Sequence, residues 1–259
     1  MKYQHLLLEI NNKIAWIKFN RPDQLNAMNA VMMDEIIDAL QVVDKTSSHE
    51  VAVVVLSGMG KAFMAGADIK EYAQQTQSEF DAFQKKGHGM YAAIENNSKI
   101  MIAALNGYAF GGGFEIALAC DMMVAATGTK MGLPEILLNL IPGGGGTLRL
   151  ARKIGTNLTN EIVMTGRTLL AEEMEASGLI NHIYPRENFM ESVTEFANSF
   201  ANQLPDRLQA IKELSNEALN GITPTLQAKE AAALGKFYQS KEGQEKIQAF
   251  YNKSLDKIS

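Results

Sequence analysis

Short apolar runs alternate with stretches in which apolar residues recur every three or four positions, and the alternation continues as far as Tyr184. Residues 6–10 and 14–19 read as strands joined by a hairpin-type turn, Asn11-Asn12-Lys13. Arg21-Pro22-Asp23 breaks that regularity, and Asn29 is placed to cap a helix carrying Met33, Ile36, Ile37, Leu40 and Val43 at helical spacing. Residues 51–56 are continuously apolar and mostly β-branched, the pattern of a strand covered on both faces. A helix is predicted over 78–95, with Phe80, Phe83, Met90, Tyr91 and Ile94. Residues 100–105, 122–126 and 179–184 predict further strands, each followed by a turn and usually a helix. Gly178 is suited to end a helix over 171–177 in the left-handed conformation. Beyond Tyr184 only helical patterns remain, broken near Pro205 and 221–224, so an α/β core gives way to a helical region between about 190 and 205. No sequence repeat accompanies the succession of strand–turn–helix units.

With 259 residues, 46% hydrophobic and 20% charged, the chain suits one large domain or a core with a smaller appendage. A net charge of −5 argues against broad nucleic-acid binding, which needs clustered cations, although local lysines can still meet a small anion. The single cysteine, Cys120, excludes an internal disulfide and a thiolate metal cluster and is expected to be buried. Residues 1–10 lack a signal-peptide pattern and no apolar run approaches a membrane span, so the expectation is a soluble, cytoplasmic protein.

Candidate chemistry lies in three glycine-bearing turns. Gly111-Gly112-Gly113-Phe114-Glu115 follows a strand-like run and opens an apolar helix, so free N–H groups and the helix dipole there favour an oxygen gathering negative charge. Glu115 sits among apolar neighbours that would raise its pKa towards the range useful for proton transfer; an exposed first-turn glutamate complementing the dipole is the plainer reading. Glu135 follows Pro134 and precedes Ile136-Leu137-Leu138, which fits either a helix start or a sheltered carboxylate. In Ala65-Gly66-Ala67-Asp68, the preferred role of Asp68 is to cap the following helix. Neither 107–113 nor 143–146 has dinucleotide-binding glycine spacing, and Gly146-Thr147 lacks the lysine of a phosphate-binding loop. The four histidines show no metal-ligand spacing, and none accompanies a nucleophile elbow.

The order of these segments is more specific than any one of them. Asn20-Arg21-Pro22 with Leu25-Asn26-Ala27, Lys61-Ala62-Phe63 with residues 65–71, residues 103–107 with 111–115, Cys120-Asp121, and Pro134-Glu135 running into residues 142–150 together resemble the enoyl-CoA hydratase/isomerase (crotonase) family. The likeness continues through Thr165-Gly166 and residues 176–179 to the C-terminal helices. It implies an α/β fold: a crotonase-like ββα spiral core over 1–196 that binds acyl-CoA, and a C-terminal helical trimerisation region over 197–259, giving a homotrimer or homohexamer. It also implies an acyl-CoA thioester substrate, with no further cofactor and no metal. By position, Ala67 and Gly112 would supply the oxyanion-hole N–H groups, and Glu115 and Glu135 would be the catalytic pair.

The CoA portion is expected along Gln24 and Leu25, Lys61, Ala65, Ala67, Asp68, Ile69 and Lys70, with Gly112 and Gly143 nearby. Phe250 and Lys253 resemble family residues that reach a neighbouring subunit's CoA. Two glutamates favour a hydratase, which adds water across the 2,3 double bond of an enoyl-CoA. An isomerase or decarboxylase using the same enolate, and a catalytically idle binding protein on this fold, are the alternatives. Phe114 stands where family hydratases often carry a smaller residue, and Met131-Gly132-Leu133 where an aromatic and a glutamine are frequent. Both departures are expected to adjoin the acyl chamber and affect its preference for chain length and branching.

Overall fold

The computed structural model describes residues 3–255, and the chain divides after Pro205 into two compact units. In the first, strands β1 (Leu6–Asn11) and β2 (Ile14–Phe19) form a hairpin whose turn residues Asn12 and Lys13 both have positive φ, the conformation that matches strand twist in a two-residue turn. Helix α1 (Ala30–Lys45) follows, and the Asn29 side chain accepts the Met32 N–H as its cap. Next come β3 (Val53–Gly58), β4 (Ala62–Met64), the one-turn helix α2 (Ile69–Tyr72), α3 (Gln77–Glu95), β5 (Ile100–Leu105), β6 (Tyr108–Phe110) and α4 (Gly112–Ala119). The chain continues through β7 (Met122–Ala126), β8 (Lys130–Gly132), a 3-10 turn (Pro134–Leu138), α5 (Gly146–Ile154), α6 (Thr156–Thr165), β9 (Leu169–Leu170), α7 (Ala171–Ala176), β10 (His182–Tyr184) and α8 (Phe189–Ala201).

The strands form a six-stranded sheet, ordered β1-β2-β3-β5-β7-β10, and a four-stranded sheet, ordered β4-β6-β8-β9. Each passage of the chain adds one strand to the large sheet and the next to the small one: β3 then β4, β5 then β6, β7 then β8. All large-sheet pairings beyond the first hairpin are parallel, so every return needs a crossover, which α1 provides between β2 and β3 and a small-sheet strand with helices provides thereafter. The product is a spiral of stacked strand–strand–helix turns. β3 and β5 are buried almost end to end, as expected of strands covered on both faces. Helix α4 occupies the interior, with every residue from Gly113 to Ala119 buried, which explains why its sequence lacks a polar face.

Three sequence expectations shift. The strand foreseen over 179–184 contracts to β10, because the amides of Leu179 and Ile180 turn back to the Met174 carbonyl. Glu135 opens a 3-10 turn ended by left-handed Asn139 instead of an α-helix. The division between units lies at Pro205 and not at 196/197, because α8 still packs on β2, β3, β5 and β7 and belongs to the core.

The second unit holds α9 (Pro205–Ala218), α10 (Pro224–Tyr238) and α11 (Lys241–Leu255). The Arg207 guanidinium lies 4.6 Å from the Phe237 ring centroid and donates to Ser240 Oγ at 2.7 Å. Ile211, Leu234 and Phe250 are exposed apolar residues on these helices.

Buried Asn26 ties the first unit's entry loop to β4. Its Nδ2 donates to the carbonyls of Met59, Ala62 and Phe63 at 2.8–3.2 Å, and its Oδ1 accepts the Arg21 N–H at 2.8 Å. The side chain is 0% exposed, so truncation would strand these groups away from water. Asn26→Ala is expected to lower unfolding free energy by about 2–3 kcal/mol in urea titrations, and a loss under about 0.5 kcal/mol would count against this role.

Candidate active site

A cavity of about 520 Å³ opens in the first unit. One wall is a single face of α3, where Phe80, Phe83, Gln84, Gly87, His88 and Tyr91 recur at helical spacing. Opposite lie the 65–67 turn, the N-terminus of α4 and the segment from Pro134 to Gly144.

Glu115 stands on the first turns of α4 and is 3% exposed. Its Oε1 accepts the N–H groups of Gly144 and Gly146, each at 2.8 Å, and its Oε2 lies 3.3 Å from the Tyr91 hydroxyl, which donates to it. Burial raises its pKa, opposed by the hydrogen bonds from Gly146, Gly144 and Tyr91 and by the charge of Arg149. This contact requires glycine at 144, because a Cβ there would overlap both the Tyr91 ring and the Glu115 carboxylate.

Glu135 enters the same cavity from the 3-10 turn. Its Oε2 is buried without a hydrogen-bond partner. Burial pushes its carboxyl up to about 7 against its own backbone hydrogen bond, and the charge of Glu115 adds to the rise. The two carboxylates therefore differ: one is clamped by three donors, while the other is held near neutrality with an oxygen free to exchange a proton.

Two backbone N–H groups border the same space. Met28 pairs with Ala67 as an isolated parallel bridge through the Gly66 carbonyl and the Asp68 N–H, so the Ala67 N–H is directed away from Met28. Gly112 is the first residue of α4, where an N–H has no intrahelical acceptor. Among the described residues neither N–H has a backbone acceptor, and both residues line the cavity. The two turns abut. A Cβ on Gly111, whose φ is +50°, would sit 3.8 Å from Gly66 Cα and 3.2 Å from Glu135 Oε1.

Of the sequence-derived candidates, the cavity gathers Glu115, Glu135, Ala65, Ala67, Ile69, Gly112 and Gly143. Gln24, Leu25, Lys61, Asp68 and Lys70 lie outside its lining. Asp68 caps α2 by accepting the Lys70 N–H and pairs with Arg21 at 3.0 Å, which holds its carboxyl below the usual range despite partial burial. Gln24 accepts from the Arg21 guanidinium, while Leu25, Lys61 and Lys70 are exposed. Phe250 and Lys253 are exposed on α11 in the second unit. Phe114 is a correction: it is fully buried in the core, as are Met131 and Leu133, and none of the three lines the cavity. Phe114 and Glu115 are successive residues of α4 and so stand on different sides of the helix.

Sequence reasoning did not assign a site role to Tyr91, Gly144 or Gly146. The helical spacing marked Tyr91 as apolar-face packing, and period alone does not separate a packed tyrosine from one whose hydroxyl serves a carboxylate. The run Gly143–Gly146 was visible, but its partner Glu115 lies 29 residues away from Gly144.

The family described as enoyl-CoA hydratase/isomerase matches residues 9–257. A short-chain-enoyl-CoA hydratase of Clostridium acetobutylicum is 32% identical, aligned over 98% of this chain and 97% of its own length. A probable enoyl-CoA hydratase of Rhizobium meliloti is 40% identical over 85% of this chain and 84% of its own. The crystal structure of an enoyl-CoA hydratase from Bacillus anthracis superposes with a TM-score of 0.91 at 32% identity, covering 96% of this chain and 97% of that one. The spiral is thus the crotonase-like fold expected from the sequence. A family match across nearly the whole chain, with relatives aligned at 32–40% identity, establishes that this protein belongs to the enoyl-CoA hydratase/isomerase family.

Proposed function

We propose that the protein is an enoyl-CoA hydratase, a lyase that reversibly adds water across the 2,3 double bond of an enoyl-CoA to give a 3-hydroxyacyl-CoA. The observation that carries this reading is the pair of unlike carboxylates, Glu115 and Glu135, sharing one cavity with the N–H groups of Ala67 and Gly112. Relatives named as hydratases over nearly their whole length support it.

In this mechanism the thioester oxygen sits against the two N–H groups, each contributing about 3 kcal/mol as charge develops there. Water bonds through its oxygen to C3 and gives one proton to the Glu115 carboxylate. The electrons of the double bond move through C2 onto the thioester oxygen and return as C2 takes the proton held by Glu135. Passage of a proton from Glu115 to Glu135 through the water position restores the starting state, for a net gain of one water. These steps use proton transfer and backbone donors, so the reading includes no metal or redox cofactor; CoA belongs to the substrate.

The same reading makes it a cytoplasmic enzyme of fatty-acid β-oxidation, active as a homotrimer or homohexamer. No helix among the described residues is long and apolar enough to cross a membrane, and exposed Ile211, Leu234 and Phe250 would suit burial in an assembly. Phe250 and Lys253 would then approach the CoA of an adjacent subunit, and Lys61 and Lys70 would flank it from the first unit.

Mass spectrometry of a panel of short, long and branched enoyl-CoAs tests the reaction: at least one thioester should gain 18 Da, whereas migration of a double bond or loss of carbon dioxide alone would reject hydration. Glu115→Gln and Glu135→Gln should each slow crotonyl-CoA hydration at least about 100-fold with CoA binding retained, and near-normal turnover by both would reject the assignment. Hydration needs Glu115 ionised and Glu135 protonated, and dehydration needs the same single proton on the pair, carried by Glu115. The kcat/KM values of both directions should therefore fall together as pH increases through about 7; flat profiles from pH 6 to 8 would contradict the role. Stability follows from the same group. The unfolded chain releases this proton at the ordinary glutamate value of 4.5 and the folded chain at about 7, so Glu135 erodes stability as pH rises between them. Glu135→Gln should remove that part of the decline, read as a Tm gain over the parent above pH 7 that shrinks below pH 5.

A further inference from the structure

Glu115 receives its two backbone donors from a segment with no side chains of its own to hold it. What holds that segment lies outside the cavity. The Gly144 carbonyl, between the two peptides that face Glu115, accepts from Arg149 Nη1. Arg149 is in turn gripped by Glu95 through two parallel bonds, Nε to Oε1 and Nη2 to Oε2, each 2.7 Å. The guanidinium also lies 5.5 Å from the centroid of the Tyr91 ring, whose hydroxyl donates to Glu115. A third attachment comes from His88, whose Nε2 is 2.8 Å from the Gly143 carbonyl, on the peptide that presents the Gly144 N–H.

Neither Arg149 nor Glu95 lines the cavity. Arg149 is partly buried and Glu95 is more open to solvent. A bridge between α3 and α5 could be purely structural, but its third contact would then be superfluous. Two bonds to Glu95 would satisfy such a bridge. The donor spent on the Gly144 carbonyl instead fixes the orientation of the backbone that serves Glu115. Arg149 also places a permanent positive charge near that carboxylate, and this charge opposes the rise that burial causes.

We propose that Arg149, locked by Glu95, is a positioning residue for the reaction: its grip on the Gly144 carbonyl aims the Gly144 and Gly146 N–H groups at Glu115. The kinetic part rests on the hydratase reading; the geometric part does not. The titratable and charged groups facing Glu115 are Tyr91 and Arg149, with Glu135 coupled through its charge and Tyr72 raised by burial and further by both glutamates.

Arg149→Lys keeps the charge and loses the fork, Arg149→Met loses both, and Glu95→Gln weakens the lock while leaving Arg149 in place. With the wild-type protein first shown to hydrate crotonyl-CoA, kcat should fall about tenfold in Arg149→Lys and up to about a hundredfold in Arg149→Met, with KM changed less than about threefold. Glu95→Gln should fall in the same direction. Independently of turnover, the carboxyl titration of Glu115, followed by 13C NMR against an assignment from Glu115→Gln, should move to higher pH in Arg149→Met and less in Arg149→Lys. A folded Arg149→Met protein with an unmoved Glu115 titration, or with kcat within threefold of wild type, overturns the proposal. If Arg149→Met does not fold, Glu95→Gln and Arg149→Lys are judged by the same two readouts. Should the wild type prove inactive on enoyl-CoAs, the hydratase reading fails, while the titration still decides the positioning role.

Discussion

Burial of one glutamate on an apolar helix is the constraint around which the site is arranged. Glu115 lies on a helix whose other residues are core, so its charge can persist only where donors replace the water it has lost. The Gly144 and Gly146 amides and the Tyr91 hydroxyl supply them. Those amides can come close only because no Cβ intervenes, and the backbone offering them is fixed by Arg149 and His88. The glycine run, the tyrosine and the arginine are consequences of one desolvated carboxylate.

The second carboxylate has the opposite treatment. Glu135 sits at the start of a short turn, with one oxygen buried and unpaired, and the nearby Glu115 charge discourages its ionisation. Three donors on one glutamate and a bare oxygen on the other make the pair unlike, which under the proposed reaction suits one to act as base at C3 and the other as acid at C2. The spiral makes this possible. Successive turns bring the ends of β4, β6 and β8 side by side, so the loops that follow them, although far apart in sequence, open onto a single cavity. Gly66 and Gly111 both have positive φ where their turns abut, a conformation that glycine adopts without a Cβ penalty.

Much of the large sheet was legible because its strands carry continuous apolar runs long enough to register. Residues 100–105 and 122–126 are strands at those limits. The small sheet was not, since two or three residues cannot display a period, and β4, β6, β8 and β9 form only because the larger sheet brings them together. The expected boundary at 196/197 cuts through α8, which belongs wholly to the first unit, since helical periodicity records an apolar face without naming what that face meets. Phe114 was misplaced for a related reason: adjacency to Glu115 in sequence puts it on a different side of the helix.

By itself the sequence determined the longer strands and helices, the glycine turns, the acidic residues and, through their order, the family. These are local or collinear properties, written in runs, periods and spacings. Only the tertiary structure decided which glutamate is clamped by three donors and which keeps a bare oxygen, that Asp68 is tied up by Arg21, and that Arg149 reaches the peptide serving Glu115. Those outcomes depend on long-range contacts and on exclusion of water, and a carboxylate's proton affinity is set by what surrounds it in space and not by its neighbours along the chain.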